Sequence, residues 1–167
     1  MKHALTGALL CMAFGAAAEP TEQDVIAMLE RAAAYTKANG RAQMIQKITA
    51  KDPDYVQGTM YIYMRDFNSG INLAHPFNQS IVGKDQNDVP DTNGKMYRRD
   101  IMDVAHKEGK GWVDYMYKNP ENNQIEAKSC LRAALGRRDF GGRHLQEIGA
   151  PFHRSDRKTS PELAWSL

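Results

Sequence analysis

Cysteine is scarce in this chain. Its 167 residues include only Cys11 and Cys130. Cys11 falls in an N-terminal apolar run, so a chain that loses that run keeps one thiol and forms no intramolecular disulfide. Stability then rests on the core, which 167 residues can build in a single domain. No Cys-x-x-Cys or His-Cys spacing suits a metal, and no Gly-rich phosphate loop or Gly-x-Ser-x-Gly elbow is present. Cofactors and metals are not expected. An excess of charge of one sign is also missing: the net charge is +2, which excludes general attraction to nucleic acid or membrane. No apolar run reaches the roughly 20 residues that span a bilayer.

What the N-terminus does have is Lys2 and His3 followed by "ALTGALLCMAFGAAA". A positive start, a short apolar stretch and Ala16-x-Ala18 are the parts of a cleaved secretory signal. Residues 1–18 are read as that signal, which places the mature chain in the periplasm or outside the cell. An uncleaved membrane anchor is the alternative. Leu10 sits where a lipoprotein signal wants a small residue, so Cys11 is not read as a lipidation site.

The remainder reads as alternating helix and strand. Thr21 and Asp24 form a short capping box, and Val25, Met28, Leu29, Ala32 and Tyr35 recur at helical spacing up to Asn39-Gly40. A second helical piece carries Met44, Ile45 and Ile48 and stops at Asp52-Pro53. "GTMYIYMRDF" (58–67) alternates as a strand, with Tyr61, Tyr63 and Arg65 against Met60, Ile62 and Met64. "DFNSG" turns the chain into a second strand, "INLAH". The 25 residues from Ile71 to Lys95 are then dominated by Asn, Asp, Gly and Pro. A helix follows from Lys95 to Glu108. Strands at 111–118 and 124–131 come next, the first alternating Trp112, Asp114 and Met116 against Val113, Tyr115 and Tyr117. The order predicts an α+β fold with an antiparallel sheet and a long N-terminal helix.

Several stretches together carry a family resemblance: "MYIYMRDF" with "LAHP" after the turn, "IVGKD", "DTNGKMYRRDIMDVA", "GKGWVDYMYKNP" and "IEAKS". In this order and spacing, residues 21 to about 129 closely resemble the bacterial single Cache domains, extracytoplasmic sensor domains related in shape to PAS domains. The resemblance implies a PAS-like sheet, with the polar crossing folded over one face to leave a cavity for a small ligand, mainly a short organic acid. It implies sensing, with links to signal transduction and chemotaxis, and no enzymatic activity.

A carboxylate needs inward-facing donors. The candidates are Tyr61, Tyr63 and His75 from the first hairpin and Tyr97 and Arg98 from the helix. Trp112, Tyr115 and Lys128 come from the second hairpin. Plainer roles compete at these positions. The tyrosines and Trp112 suit the core, His75 can cap a turn before Pro76, and Arg98 and Arg99 suit a solvated helix face. Lys128 can pair with Asp114 across the sheet. "VPDTNGKMYRRD" faintly resembles a calcium loop, but Val89 fills its first ligand position.

The resemblance stops near Ser129. In the family the strand holding Lys128 leads to a last strand ending near Gly-x-Tyr, which lies in the middle of the sheet. Here six of eleven arginines follow Ser129, with one of eleven lysines and none of seven tyrosines. The chain therefore divides into a signal (1–18), a Cache domain (19–129) and an atypical Arg-rich tail (130–167). The change in usage suggests an out-of-frame or replaced end, testable by re-reading the encoding DNA in its other frames. The central strand is expected to be missing, or replaced by a segment such as "RHLQEIGA".

Three functions follow from these residues. The first is an extracytoplasmic module that binds a small acid and acts through a partner such as a membrane receptor or kinase. The second is a periplasmic enzyme with His75 as base and Asp114 or Cys130 as partner, or a non-functional truncated protein. Nucleic-acid or membrane contact by the tail is the third, diluted by Asp139, Glu147, Asp156 and Glu162.

Overall fold

A computed structural model describes residues 20–119, 122–135 and 146–153. The proposed signal segment lies outside them. Helix α1 (Glu22–Asn39) opens on a full capping box, with the Thr21 hydroxyl accepting from the Asp24 N–H while the Asp24 carboxylate accepts from the Thr21 N–H. Gly40, at φ +86°, breaks α1 from helix α2 (Arg41–Thr49).

The stretch expected as one strand at 58–67 is divided. Strand β1 (Val56–Gln57) pairs with β2 (Met60–Tyr61) in a small separate ribbon. The chain changes partner at Ile62, whose N–H bonds to the Tyr55 carbonyl. It then enters the main sheet as β3 (Tyr63–Asp66), which pairs with β4 (Asn72–Ala74). The turn between them is held by the Asp66 carboxylate, which accepts from the N–H groups of Asn68 and Ser69. Helix α3 (Tyr97–Glu108) leads into β5 (Lys110–Lys118), and β6 (Ile125–Leu135) returns beside it in register.

The sheet has the order β4-β3-β7-β6-β5. Its middle place is filled from the tail, by β7 (Gln146–His153), antiparallel to both β3 and β6. The "RHLQEIGA" segment therefore does substitute, displaced a few residues toward the C-terminus. The ladder with β6 extends that strand to Leu135, past the end expected at residue 131.

Strand alternation divides the buried residues into two layers. Met60, Ile62, Met64, Ala74 and Leu131 pack with Val25, Met28, Leu29 and Ile48 of α1 and α2. Tyr61, Tyr63, Val113, Tyr115 and Cys130 face the other way and meet Tyr97 and Ile101 of α3. The polar crossing runs over this second face and fastens to both sheet edges. At the β4 edge, the Asn72 N–H bonds to the Lys84 carbonyl and the Gly83 N–H to the Asn72 carbonyl. At the β5 edge, Asp91 accepts from the Met116 N–H, and Lys95 Nζ donates to the Asp114 carbonyl. The crossing thus covers edges that would otherwise be open to pairing with another chain.

Candidate functional site

Between the sheet and the crossing lies a cavity of about 30 Å³. That is room for two or three water-sized groups, at roughly 10–15 Å³ each. Its wall takes Tyr61, Tyr63 and Arg65 from the β2–β3 segment and Asn72 and His75 from the β4 side. Tyr97, Arg98 and Ile101 of α3 and Tyr115 and Tyr117 of β5 complete most of the enclosure, and among the described residues no acidic side chain lines it. An outer pocket of about 330 Å³ adjoins it and includes Phe77, Asn78, Lys118 and Asn123. Tyr61, His75 and Tyr117 line both spaces and form the waist between them. The inner space alone is smaller than the single metabolite-sized void expected.

His75 is 5 % exposed, and its ring sits 5.2 Å from that of Tyr61 and 6.2 Å, near-parallel, from that of Tyr63. Its Nδ1 accepts from the N–H groups of both Phe77 (3.2 Å) and Asn78 (3.1 Å). Those donors require an unprotonated Nδ1, so the neutral ring carries its proton on Nε2. Burial, reinforced by the positive charges of Lys128 and Arg98, lowers its pKa to about 4. His75 therefore caps its turn and remains a neutral N–H donor. With its lone pair held by the backbone, it is poorly suited to act as a general base.

Arg65 is 2 % exposed. Its guanidinium donates to three neutral oxygens: the Gly70 carbonyl, the Asn87 side chain and, at 3.4 Å, the Arg98 carbonyl. No carboxylate pairs with it among the described residues. Arg98 donates to the Val89 carbonyl and lies 4.3 Å over the Tyr97 ring, which stacks in turn on Tyr115 at 4.1 Å and 2°. Burial raises the pKa of Tyr61, Tyr97 and Tyr115, so these phenols stay protonated donors.

Six of the eight residues picked from the sequence share this cavity: Tyr61, Tyr63, His75, Tyr97, Arg98 and Tyr115. Lys128 stands behind its wall, with Nζ 5.1 Å from the Tyr61 ring and 5.9 Å from the Tyr117 ring. It registers opposite Tyr115, while Asp114 registers opposite Ser129, which donates to it. Lys128 and Asp114 thus lie on opposite faces, so the expected cross-strand pairing is not the arrangement found. Trp112 does not belong to the site. It packs on the α1 and α2 layer, because a strand alternates with period two and Tyr115 takes the other face. Arg99 is exposed and pairs with Asp88, as a helix's polar face predicts. Arg65, Asn72 and Tyr117 also line the cavity and are not among the sequence candidates. The alternation with Tyr61 and Tyr63 already placed Arg65 on the right face, and Tyr117 shares its face with Tyr115.

The single Cache domain 2 family model matches residues 22–136. The chain belongs to this family. Its fold is shared by solved structures of low sequence identity. One is a methyl-accepting chemotaxis protein from Vibrio parahaemolyticus RIMD 2210633, at 17 % identity and TM-score 0.64 over 81 % of this chain and 89 % of that one. Another is the periplasmic sensor domain of a chemotaxis protein, at 18 % identity and TM-score 0.58 over 79 % and 89 %. A third is a Cache chemosensory domain described in terms of carboxylic acid recognition, at 15 % identity and TM-score 0.58 over 79 % and 87 %. No curated protein matches the chain. Family membership makes this Cache domain a sensor domain, not an enzyme. Among the described residues no helix is long and apolar enough to cross a membrane.

Proposed function

We propose that this Cache domain binds a short carboxylate outside the cytoplasm, after export directed by residues 1–18. The observation that carries the reading is the cavity wall: Arg65 and Arg98 line it, phenols and the His75 Nε2–H supply further donors, and no acid is among its described lining residues. A buried guanidinium bonded only to neutral oxygens favours an anion beside it. The same wall disfavours amines, and it offers the ammonium of an amino acid no counter-charge. The carboxylate head occupies the inner cavity and the remainder extends past the Tyr61, His75 and Tyr117 rings. A membrane receptor or kinase partner then reads the occupied state. The carboxylic acid recognition described for one structural neighbour agrees with this chemistry.

Thermal melts of the exported form with a panel of short carboxylates, amino acids and amines test the reading. At a hundred times its Kd a ligand adds about 2.7 kcal/mol, or roughly 5–10 °C for a chain of this size. A rise confined to acids supports the proposal. Amines that stabilise while every acid is inert would refute it.

A further inference from the structure

Asn72 is 4 % exposed, and its Nδ2 has no hydrogen-bond partner among the described residues. Buried donors without an acceptor are rare in folded proteins. This one belongs to a residue that lines the inner cavity. Its placement depends on an irregularity in the sheet. Met64 registers with Ala74, but Arg65 registers with Asn72, so Leu73 is skipped. Leu73 and Ala74 both pack on the α1 and α2 layer. Regular pairing would have set Leu73 beside Arg65 and turned Asn72 toward that helical layer. The bulge instead puts the amide on the cavity side, and bulges commonly re-aim a side chain in this way beside functional sites. Asn72 is held there by its backbone, which bonds to Gly83 and Lys84 of the crossing.

We infer that Asn72 is a specificity-determining residue that donates to a second oxygen of the ligand, beyond the carboxylate. This rests on the carboxylate reading above. The cations Arg65 and Arg98 take the carboxylate, and Asn72, which registers opposite Arg65, takes the other oxygen. In a cavity of about 30 Å³ these two sets of donors are close together. The second oxygen therefore sits on the carbon next to the carboxylate. The ligand class is a 2-oxo or 2-hydroxy acid in preference to a plain alkanoate.

The test is calorimetry with three acids of equal carbon count: pyruvate, lactate and propionate. The wild-type protein is expected to bind pyruvate or lactate about fivefold to tenfold tighter than propionate, the worth of one hydrogen bond. Asn72→Ala should bring the acids to near parity while the Kd for propionate moves less than about twofold. Asn72→Ser, whose hydroxyl is too short to reach, gives the same reading should the alanine variant fail to fold. Equal affinities in the wild type overturn the inference. So does a preference that survives both substitutions, or an equal loss for all three acids, which would mean that Asn72 grips the carboxylate itself. If no acid binds the wild type, it is the anion reading that fails, and this one falls with it.

Discussion

His75 makes the stability of this domain depend on pH in a window that can be calculated. Its folded pKa of about 4 lies below the 6.5 of a free histidine, so between those values the unfolded chain binds the proton more readily. The contribution is therefore complete above pH 6.5 and is lost as pH falls through 4. The shift corresponds to about 3 kcal/mol in full, of which roughly 2 kcal/mol is lost between pH 7.5 and 5. That is a sizeable part of the roughly 5–15 kcal/mol that holds a domain together. His75→Asn removes the titration while an amide oxygen can still accept from the Phe77 and Asn78 N–H groups. Carboxylates titrate alike in both proteins and cancel in the difference. Urea unfolding at pH 7.5 and 5.0 is then expected to show the wild type losing about 2 kcal/mol more than the variant. Equal losses would show that His75 is not buried as a neutral ring, and would remove the argument for its Nε2–H donor.

Arg65→Met is expected to weaken acid binding about tenfold to a hundredfold, the worth of one charged hydrogen bond, while Arg99→Ala, on the solvated helix face, leaves it unchanged by calorimetry. Gly70→Ala is expected to destabilise by about 1–3 kcal/mol in denaturant, because φ is +70° and the new Cβ would stand 2.5 Å from the Asn87 side chain. Asp91→Ala removes the acceptor for the N–H groups of Asn93, Lys95 and Met116. It should cost about 1–3 kcal/mol and speed hydrogen exchange at Met116 above all.

The helices and the two main hairpins were legible in the sequence because their signals are local. The Thr21 capping box, the apolar face of α1 and the alternation in β5 need no knowledge of distant partners. The same alternation already conflicted with placing Trp112 and Tyr115 in one site, since positions three apart on a strand face opposite ways. Asn72 was hidden for the opposite reason. Its orientation depends on a skipped residue in the pairing of β4 with β3, and nothing in "INLAH" announces a bulge. The strand at β7 was legible only as a need, because the fold required a middle ribbon. "QEIGAPFH" carries weak strand signals of its own, and Pro151 brings no N–H to the ladder with β6. The break at Ile62 follows from which strand each half pairs with, and that is a tertiary choice.

The position of β7 also governs how the molecule is assembled. The ribbon that joins the two halves of the sheet is made after everything it joins. Until residue 153 has emerged, β3 with β4 and β5 with β6 are separate hairpins, and the cavity wall that draws on both has no fixed width. Contacts spanning some 80 residues close last, so the domain should acquire its cavity in one late, slow step.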